Sequence, residues 1–409
     1  MNIYPARFHI NRRSLTLFLF LVSGVILFAG LTGCGSGGGS SVGTTSGGGS
    51  GTSGGGSGTS GGGGGTSGSG SGSRGVKPVL TGLVSMGSET FIGANTAPTN
   101  NLEEINAHPG IYSAAVIELQ WSQLEPQENV FDDSALVSAL ANIQAYNAKY
   151  PSTPVVAKLR IFAGLGTPSW VIQATGGVSF TNSSGVTGQI GKYWTTQYQS
   201  FWQGLQNHLA SEYDTNPLIG EVAITSCCTL TAEPFIEPIN PTAIAALHQA
   251  GYTDAQEEAS LSGAASEYSA WKETPLDFTF NTFYQTDTGS PVEDPAFTIQ
   301  VMDAFRAALG TRAVVANHGL NDPLAPAAVP IYNEFQNLYS QAAATTPPTI
   351  SPLEFQTDGP NVNWPAVITY GLTYHPTELE IWDTVAAGGT ANISQSQLAS
   401  WAASLKSAN

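Results

Sequence analysis

The chain has 409 residues, with 13 Lys or Arg against 30 Asp or Glu, for a formal net charge of −17. All 30 acids follow Val76 whereas four of the 13 bases precede it, so 9 bases face 30 acids and residues 76–409 carry −21. Such a surface repels polyanions, which argues against nucleic acid or an anionic polysaccharide as partner, and 3 cysteines supply no disulfide framework, so a hydrophobic core must hold the fold.

The chain begins with an address. Arg7, Arg12 and Arg13 form a positive start, residues 15–28 are almost wholly apolar, and Leu31-Thr32-Gly33-Cys34 closes the stretch with small residues, the pattern of an export signal over residues 1–33. An uncleaved membrane helix over 14–31 is the competing reading, disfavoured because no stop-transfer charges follow. Leu31-Thr32-Gly33-Cys34 is similar to the lipobox of bacterial lipoproteins. The resemblance implies cleavage before Cys34, acylation of its thiol and a place in the bacterial cell envelope, at the outer membrane or cell surface. Residues 34–75 are almost entirely Gly, Ser and Thr, which cannot bury apolar surface and make a flexible tether. The domain proper is then 76–409, long enough for one barrel.

Within it, apolar runs at 79–85, 112–119, 154–162, 219–225, 276–281, 313–317, 350–355 and 378–382 read as strands. Amphipathic stretches at 133–146, 195–213, 241–271, 294–309 and 327–344 alternate with them, a short helix fits 102–107, and 394–407 closes the chain. Asp133 marks a helix start, and Ser394 with Gln397 has the spacing of a capping box. The Gly/Ser/Thr-rich 176–191 is expected to be a loop above the mouth. Repeated βα units predict a parallel sheet, and eight strands close it into a (β/α)8 barrel of the α/β class. An open doubly wound sheet would normally carry a Gly-rich phosphate turn after its first strand, and none is present. Cys227 and Cys228 are adjacent, a vicinal disulfide or two thiols, with no partner ligand nearby for zinc.

Barrels of this kind do chemistry at the carboxyl ends of their strands. Glu354 falls at the end of the seventh run, and Glu233 follows the fourth by eight residues, so that a loop must fold back to bring it to the rim. An acid inside an apolar run is costly to bury without function, which singles out Glu354; Glu237 repeats the Glu-Pro pattern of Glu233 and is its reserve. Two carboxyls facing each other across one mouth are what cleavage of a glycosidic bond requires. Sugar rings stack on aromatic faces, so Trp121, Trp170 and Trp382, each near a predicted strand end, are candidate platforms. Arg160 would be expensive to bury unpaired and is expected to face a catalytic carboxylate. Asn281, Asn317 and His318 close strands five and six, and Tyr374 and His375 precede strand eight; these are expected around the same cleft. Glu125 is expected to fix the Pro126 turn, and Glu378 and Glu380 alternate along strand eight, where one can face the barrel.

Four stretches also resemble glycoside hydrolases of the large (β/α)8 clan that holds cellulases, xylanases and β-galactosidases. Gln120 to Asp132 resembles that clan's Trp, Glu-Pro, aromatic, Asp segment, with Asn129 in place of the commoner Gly. Arg160 followed by Pro168-Ser169-Trp170 is similar to its stretch after strand three, Glu233-Pro234 to its strand-four acid/base, and Glu354 to its strand-seven nucleophile. Glu378 to Trp382 looks like its eighth strand. The resemblance implies retaining hydrolysis of O-glycosidic bonds; the acidic surface favours a neutral poly- or oligosaccharide, two-carboxylate chemistry needs neither metal nor organic cofactor, and a monomer is expected. The clan's acid/base commonly follows an Asn that binds the sugar 2-hydroxyl, and Ala232 stands there instead. That departure keeps a binding protein without turnover as the alternative.

Overall fold

The computed structural model describes residues 75–86, 102–181, 186–225, 233–236, 241–346, 352–359, 362–382 and 393–407. Cys34 and the tether, Cys227, Cys228, Ala232 and Glu237 lie outside the described residues.

Eight parallel strands form a closed barrel: β1 (Gly82–Ser85), β2 (Tyr112–Gln120), β3 (Val156–Phe162), β4 (Ile219–Ala223), β5 (Leu276–Thr279), β6 (Ala313–Leu320), β7 (Leu353–Thr357) and β8 (Glu378–Ile381). Each lies beside its neighbours in sequence, and β8 returns to β1 through Gly82↔Glu378 and Val84↔Glu380. Every run expected to be a strand is one. Around them run helices α1 (Glu103–Ala107), α2 (Ser134–Lys149), α3 (Thr196–Tyr213), α4 (Asp254–Glu267), α5 (Pro295–Leu309), α6 (Val329–Ala343), α7 (Trp364–Leu372) and α8 (Gln395–Ser407). In α2 the buried residues Leu136, Ala139, Leu140, Ile143 and Tyr146 recur every three or four positions, so one stripe covers the barrel wall.

The local chemistry of the ends accounts for most boundaries. The expected capping box at Ser394 forms: Ser394 Oγ accepts from the Gln397 amide at 3.3 Å, and Gln397 Oε1 accepts from the Ser394 amide at 2.9 Å. Asp133 is the N-cap of α2, as expected, but its carboxylate reaches across to His208 and Tyr213, and the Ser134 amide is taken up by Asp132 instead. The expected helix 241–271 is two, Pro241–Gln249 and α4, because Gly251 turns left-handed (φ +94°) and Thr253 starts α4 by accepting from the Gln256 amide.

Three features depart from expectation. Part of 176–191 is an antiparallel hairpin of Gly177–Thr181 and Thr187–Gly191 rather than a plain loop, anchored by buried Val178, Phe180 and Ile190. At its base a side chain on Gly191 would meet the Tyr198 ring at 2.6 Å, so only glycine lets the ribbon lie on α3. A second hairpin, Phe283–Gln285 with Val292–Asp294, precedes α5, and α7 completes the seventh βα unit that the sequence pattern left unassigned.

The amino end of the barrel is plugged by the first described residues. Leu80 joins Val84, Met86, Ala114 and Val116 in an apolar group inside the barrel wall, and Lys77 Nζ donates to the carbonyls of Asn216 and Ile219 at 2.9 and 2.8 Å. Beside it Asp214, which ends α3, accepts from the amides of Lys272, Glu273 and Thr274 at 2.7, 3.0 and 2.9 Å. Asp214→Ala strands those three donors in a place only partly open to water, and a loss of about 2–4 kcal/mol is expected in urea unfolding.

Candidate active site

One face of every strand looks into the barrel, and here that face is charged along most of the wall. Register places Glu118 beside Arg160, Lys158 beside Glu221, Glu354 beside Glu378, and Gln356 beside Glu380. Lys158 Nζ lies 3.0 Å from Glu221, 2.9 Å from Asp277, 2.9 Å from Glu380 and 4.0 Å from Glu378. Burial works against its charge, yet Asp277, Glu354, Glu378 and Glu380 outweigh that and hold the Lys158 pKa well above the ordinary lysine value. Two residues farther along β3, Arg160 grips both oxygens of Glu380 at 2.6 and 2.7 Å and donates to Glu118 at 3.2 Å. Burial alone would raise Glu380, but Arg160, Lys158 and His318 reverse it and hold this carboxyl well below the usual range. Glu118 is raised, by burial that Arg160 only partly offsets.

Above this network His318, near the end of β6, joins the two carboxyls that the sequence singled out. Its Nδ1 is 3.4 Å from Glu233 Oε1 and its Nε2 is 3.3 Å from Glu354 Oε2. The loop after β4 therefore does bring Glu233 back over the barrel. Burial disfavours the imidazolium, but Glu354, Glu233 and Glu380 together raise the His318 pKa to about 10. A charged imidazole donates from both nitrogens, which suits a group lying between two carboxyl groups, ionised or protonated, since either form offers an acceptor oxygen. An unfolded histidine titrates near 6.5, so this contact stabilises the fold fully below that pH and is lost as pH rises toward 10. His318 is expected to stay protonated through pH 8, which nitrogen chemical shifts of the ring will report.

Glu354 itself sits at the second position of β7, deeper than the strand end expected for it, because the strand runs on through Gln356 and Thr357. It is 0 % exposed and Glu233 is 8 % exposed. Burial raises the Glu354 pKa; Lys158 and His318 oppose this, and Glu380 adds to it. Asp358, just past β7, is raised by burial and further by the charge of Glu233, against a hydrogen bond from Asn321.

The other expected site residues divide. Trp382 lies at the end of β8 with its indole N–H on the Thr357 carbonyl at 3.3 Å and its ring against the apolar group inside the barrel, a position at the mouth. Asn281 lies just beyond β5, where its side-chain oxygen accepts from Asn317 at 3.2 Å; Asn317 also binds the Phe280 carbonyl and the Tyr332 hydroxyl. Trp121 is not a platform: it is 0 % exposed, its N–H is held by Glu125 at 2.8 Å, and Trp202 and Tyr198 pack edge-on at 5.0 and 5.3 Å. Trp170 is drawn into the same cluster, with its ring edge-on to Trp121 and Phe201 and its N–H on the Glu125 carbonyl. Arg160 is a correction of partner, since it binds Glu380 and Glu118 rather than Glu233 or Glu354. Tyr374 is a correction of place. It lies between α7 and β8, where the chain re-enters the amino end of the barrel, packed on Tyr332 and hydrogen-bonded to the Tyr370 hydroxyl at 2.8 Å. His375 stacks on Tyr339 at that same end.

Sequence reasoning missed Lys158, Glu118, Glu221 and Asp277. The signal was present, because charges at every second position of an otherwise apolar strand mark the face that lines a barrel. Among the described residues His318, Glu354 and Glu380 come near enough to ligate one cation, with donor atoms within 4.8 Å of one another. Arg160 and Lys158 already neutralise Glu380, so the arrangement suits an imidazolium at its centre better than a metal ion.

No family model matches the chain, and no curated protein matches it. Among solved structures it is similar to a GH5_18 protein from Bifidobacterium longum subsp. infantis, with 12 % identity, a TM-score of 0.46, and coverage of 81 % of this chain and 79 % of that one. It is also similar to endo-glycoceramidase II from Rhodococcus sp., with 13 % identity, a TM-score of 0.44 and 80 % of each chain covered. A cold-adapted β-galactosidase from Rahnella sp. R3 matches with 11 % identity and a TM-score of 0.41 over 81 % of this chain, which spans 58 % of the length of that enzyme. At such identities the likeness is one of fold.

Proposed function

We propose that the chain is a retaining glycoside hydrolase acting on a neutral poly- or oligosaccharide, with Glu233 as acid/base and Glu354 as nucleophile. The observation that carries this reading is the convergence of Glu233, from the loop after β4, and Glu354, from β7, on the two nitrogens of His318. In the first step Glu233 gives its proton to the leaving oxygen while a Glu354 oxygen bonds to the anomeric carbon and the glycosidic bond breaks. Glu233 then takes a proton from water as that water displaces Glu354, restoring both groups and retaining configuration. His318 and Lys158 favour the ionised form of Glu354 that the first step needs. Trp382 at the mouth supplies an apolar ring face of the kind sugars stack on. We also propose that this activity works at the cell envelope on a lipid anchor, a reading supported by the export-signal pattern of residues 1–33 and by Cys34 after it. Among the described residues no helix is long and apolar enough to cross a membrane.

A binding protein without turnover is the second reading, and the complete burial of Glu354 favours it. The test is release of reducing sugar from a panel of neutral β-linked polysaccharides, with binding to the same panel measured beside it. Product from any member supports the hydrolase. Binding with no product from any member supports the second reading.

A further inference from the structure

The charges inside the barrel do not balance without bound protons. Six carboxyls (Glu118, Glu221, Asp277, Glu354, Glu378 and Glu380) share the interior with Lys158, Arg160 and His318, and all of these are buried. With every group ionised the interior would carry an excess of three negative charges, and a carboxyl in such surroundings protonates rather than remain an uncompensated ion. The contacts show that the shortfall lies among the carboxyls around Lys158. Arg160 is taken up by Glu380 and Glu118, and His318 by Glu354 and by Glu233 above it. Lys158 alone must serve Glu221, Asp277, Glu380 and Glu378, the last only at 4.0 Å. Among the described residues the remaining wall offers no charge, since β1, Met86 just past it and the adjoining part of β2 present Val84, Met86, Ala114 and Val116.

We infer that Glu221 and Glu378 form a proton-holding pair at the centre of the barrel, so that the chain takes up protons as it folds and is built for acidic surroundings. This does not rest on the glycosidase reading, because it concerns the stability of the barrel. The titration of the groups agrees with the geometry. Burial, then Asp277, raises Glu221 to about 7 against the opposing charge of Lys158; burial, then Glu221, Glu354 and Asp277, raises Glu378 well above the usual carboxyl range. For a carboxyl whose folded pKa is raised, the stabilisation is complete below the unfolded value of 4.5 and is lost as pH rises through the folded value, which for Glu221 is about 7. His318 acts in the same direction above 6.5, whereas the depressed Glu380 matters only at lower pH.

Surface repulsion from −21 charges on residues 76–409 would also weaken the fold as pH rises, but salt screens exposed charges and not a buried pair. The experiment is thermal unfolding of the full chain at pH 5 and pH 8 in about 0.5 M NaCl, for the native protein, Glu221→Gln and Glu378→Gln. Glutamine copies the protonated carboxyl and needs no proton. The native Tm is expected to fall by on the order of 5 °C from pH 5 to pH 8, and each variant to fall less. A native Tm that is level or rises, or a fall that both variants keep in full, overturns the inference. Proton exchange on urea unfolding at pH 6.5, read by calorimetry in buffers of different ionisation heat, needs no variant. Release of about one proton or more per chain on unfolding is expected, and uptake overturns the proposal.

Discussion

Glu354→Gln is expected to lower kcat/KM by at least about 1,000-fold while leaving the barrel folded. Glutamine matches the carboxylate in shape but cannot bond to an anomeric carbon as a carboxylate does, so the loss falls on the chemical step. The same change takes one negative charge out of a crowded interior, where Glu380 opposes the ionisation of Glu354 and Glu354 that of Glu378. That relief offsets part of the ion pair lost with His318, so thermal stability should change little. Activity lost together with stability would mean that the residue holds the fold instead. Equal activity in both forms would mean that another carboxyl is the nucleophile. Proton NMR of the first product adds an independent readout, because retention of anomeric configuration requires a covalent intermediate and inversion does not.

Arg160→Met should be the most damaging single change to stability, at about 3–5 kcal/mol in urea unfolding. The guanidinium holds both oxygens of Glu380 at 2.6 and 2.7 Å, and its loss takes from Glu118 and Glu380 the cation they share, leaving Glu380 with Lys158 at 2.9 Å. Arg160 is also the chief cation opposing the burial of Glu380, whose depressed pKa will rise when it is gone. The sign of the pH dependence follows. A carboxyl held low in the fold stabilises above its unfolded pKa and loses that stabilisation as pH falls. Removing Arg160 thus costs most at neutral pH and progressively less as pH drops into the ordinary carboxyl range. Pairing the change with Glu380→Gln should recover much of the loss, since the two residues act as a unit. Simple addition of the two single effects would show that they are not coupled.

Much of this architecture was legible in the amino-acid order. The eight apolar runs became the eight strands because the two walls of a barrel strand, one against helices and one toward the axis, impose a short-range pattern that needs no partner to be seen. The helix start at Ser394 is equally local, set by a side chain that reaches the amide three residues on. The hairpin at Gly177–Gly191 was hidden because its small residues give no strong strand signal until Phe180 and Ile190 are seen to be buried.

What the sequence by itself determined is the alternation of strands and helices, the closure of eight strands into one barrel, and the convergence at its mouth of acids from the fourth and seventh units. These follow from periodicity and from the rule that parallel strands present their carboxyl ends together. Only the tertiary structure decided which charges meet. Arg160 binds a residue 220 positions away, and nothing in the neighbourhood of either residue selects Glu380 over Glu354. Trp121 and Trp382 look alike in the sequence, yet helix α3 closes over the first with Trp202 and Tyr198 and leaves the second at the mouth. Tyr374 fell at the wrong end because the chain re-enters each strand from the face opposite the mouth. Pairing, burial and depth are properties of distant segments brought together, and local spacing carries no information about them.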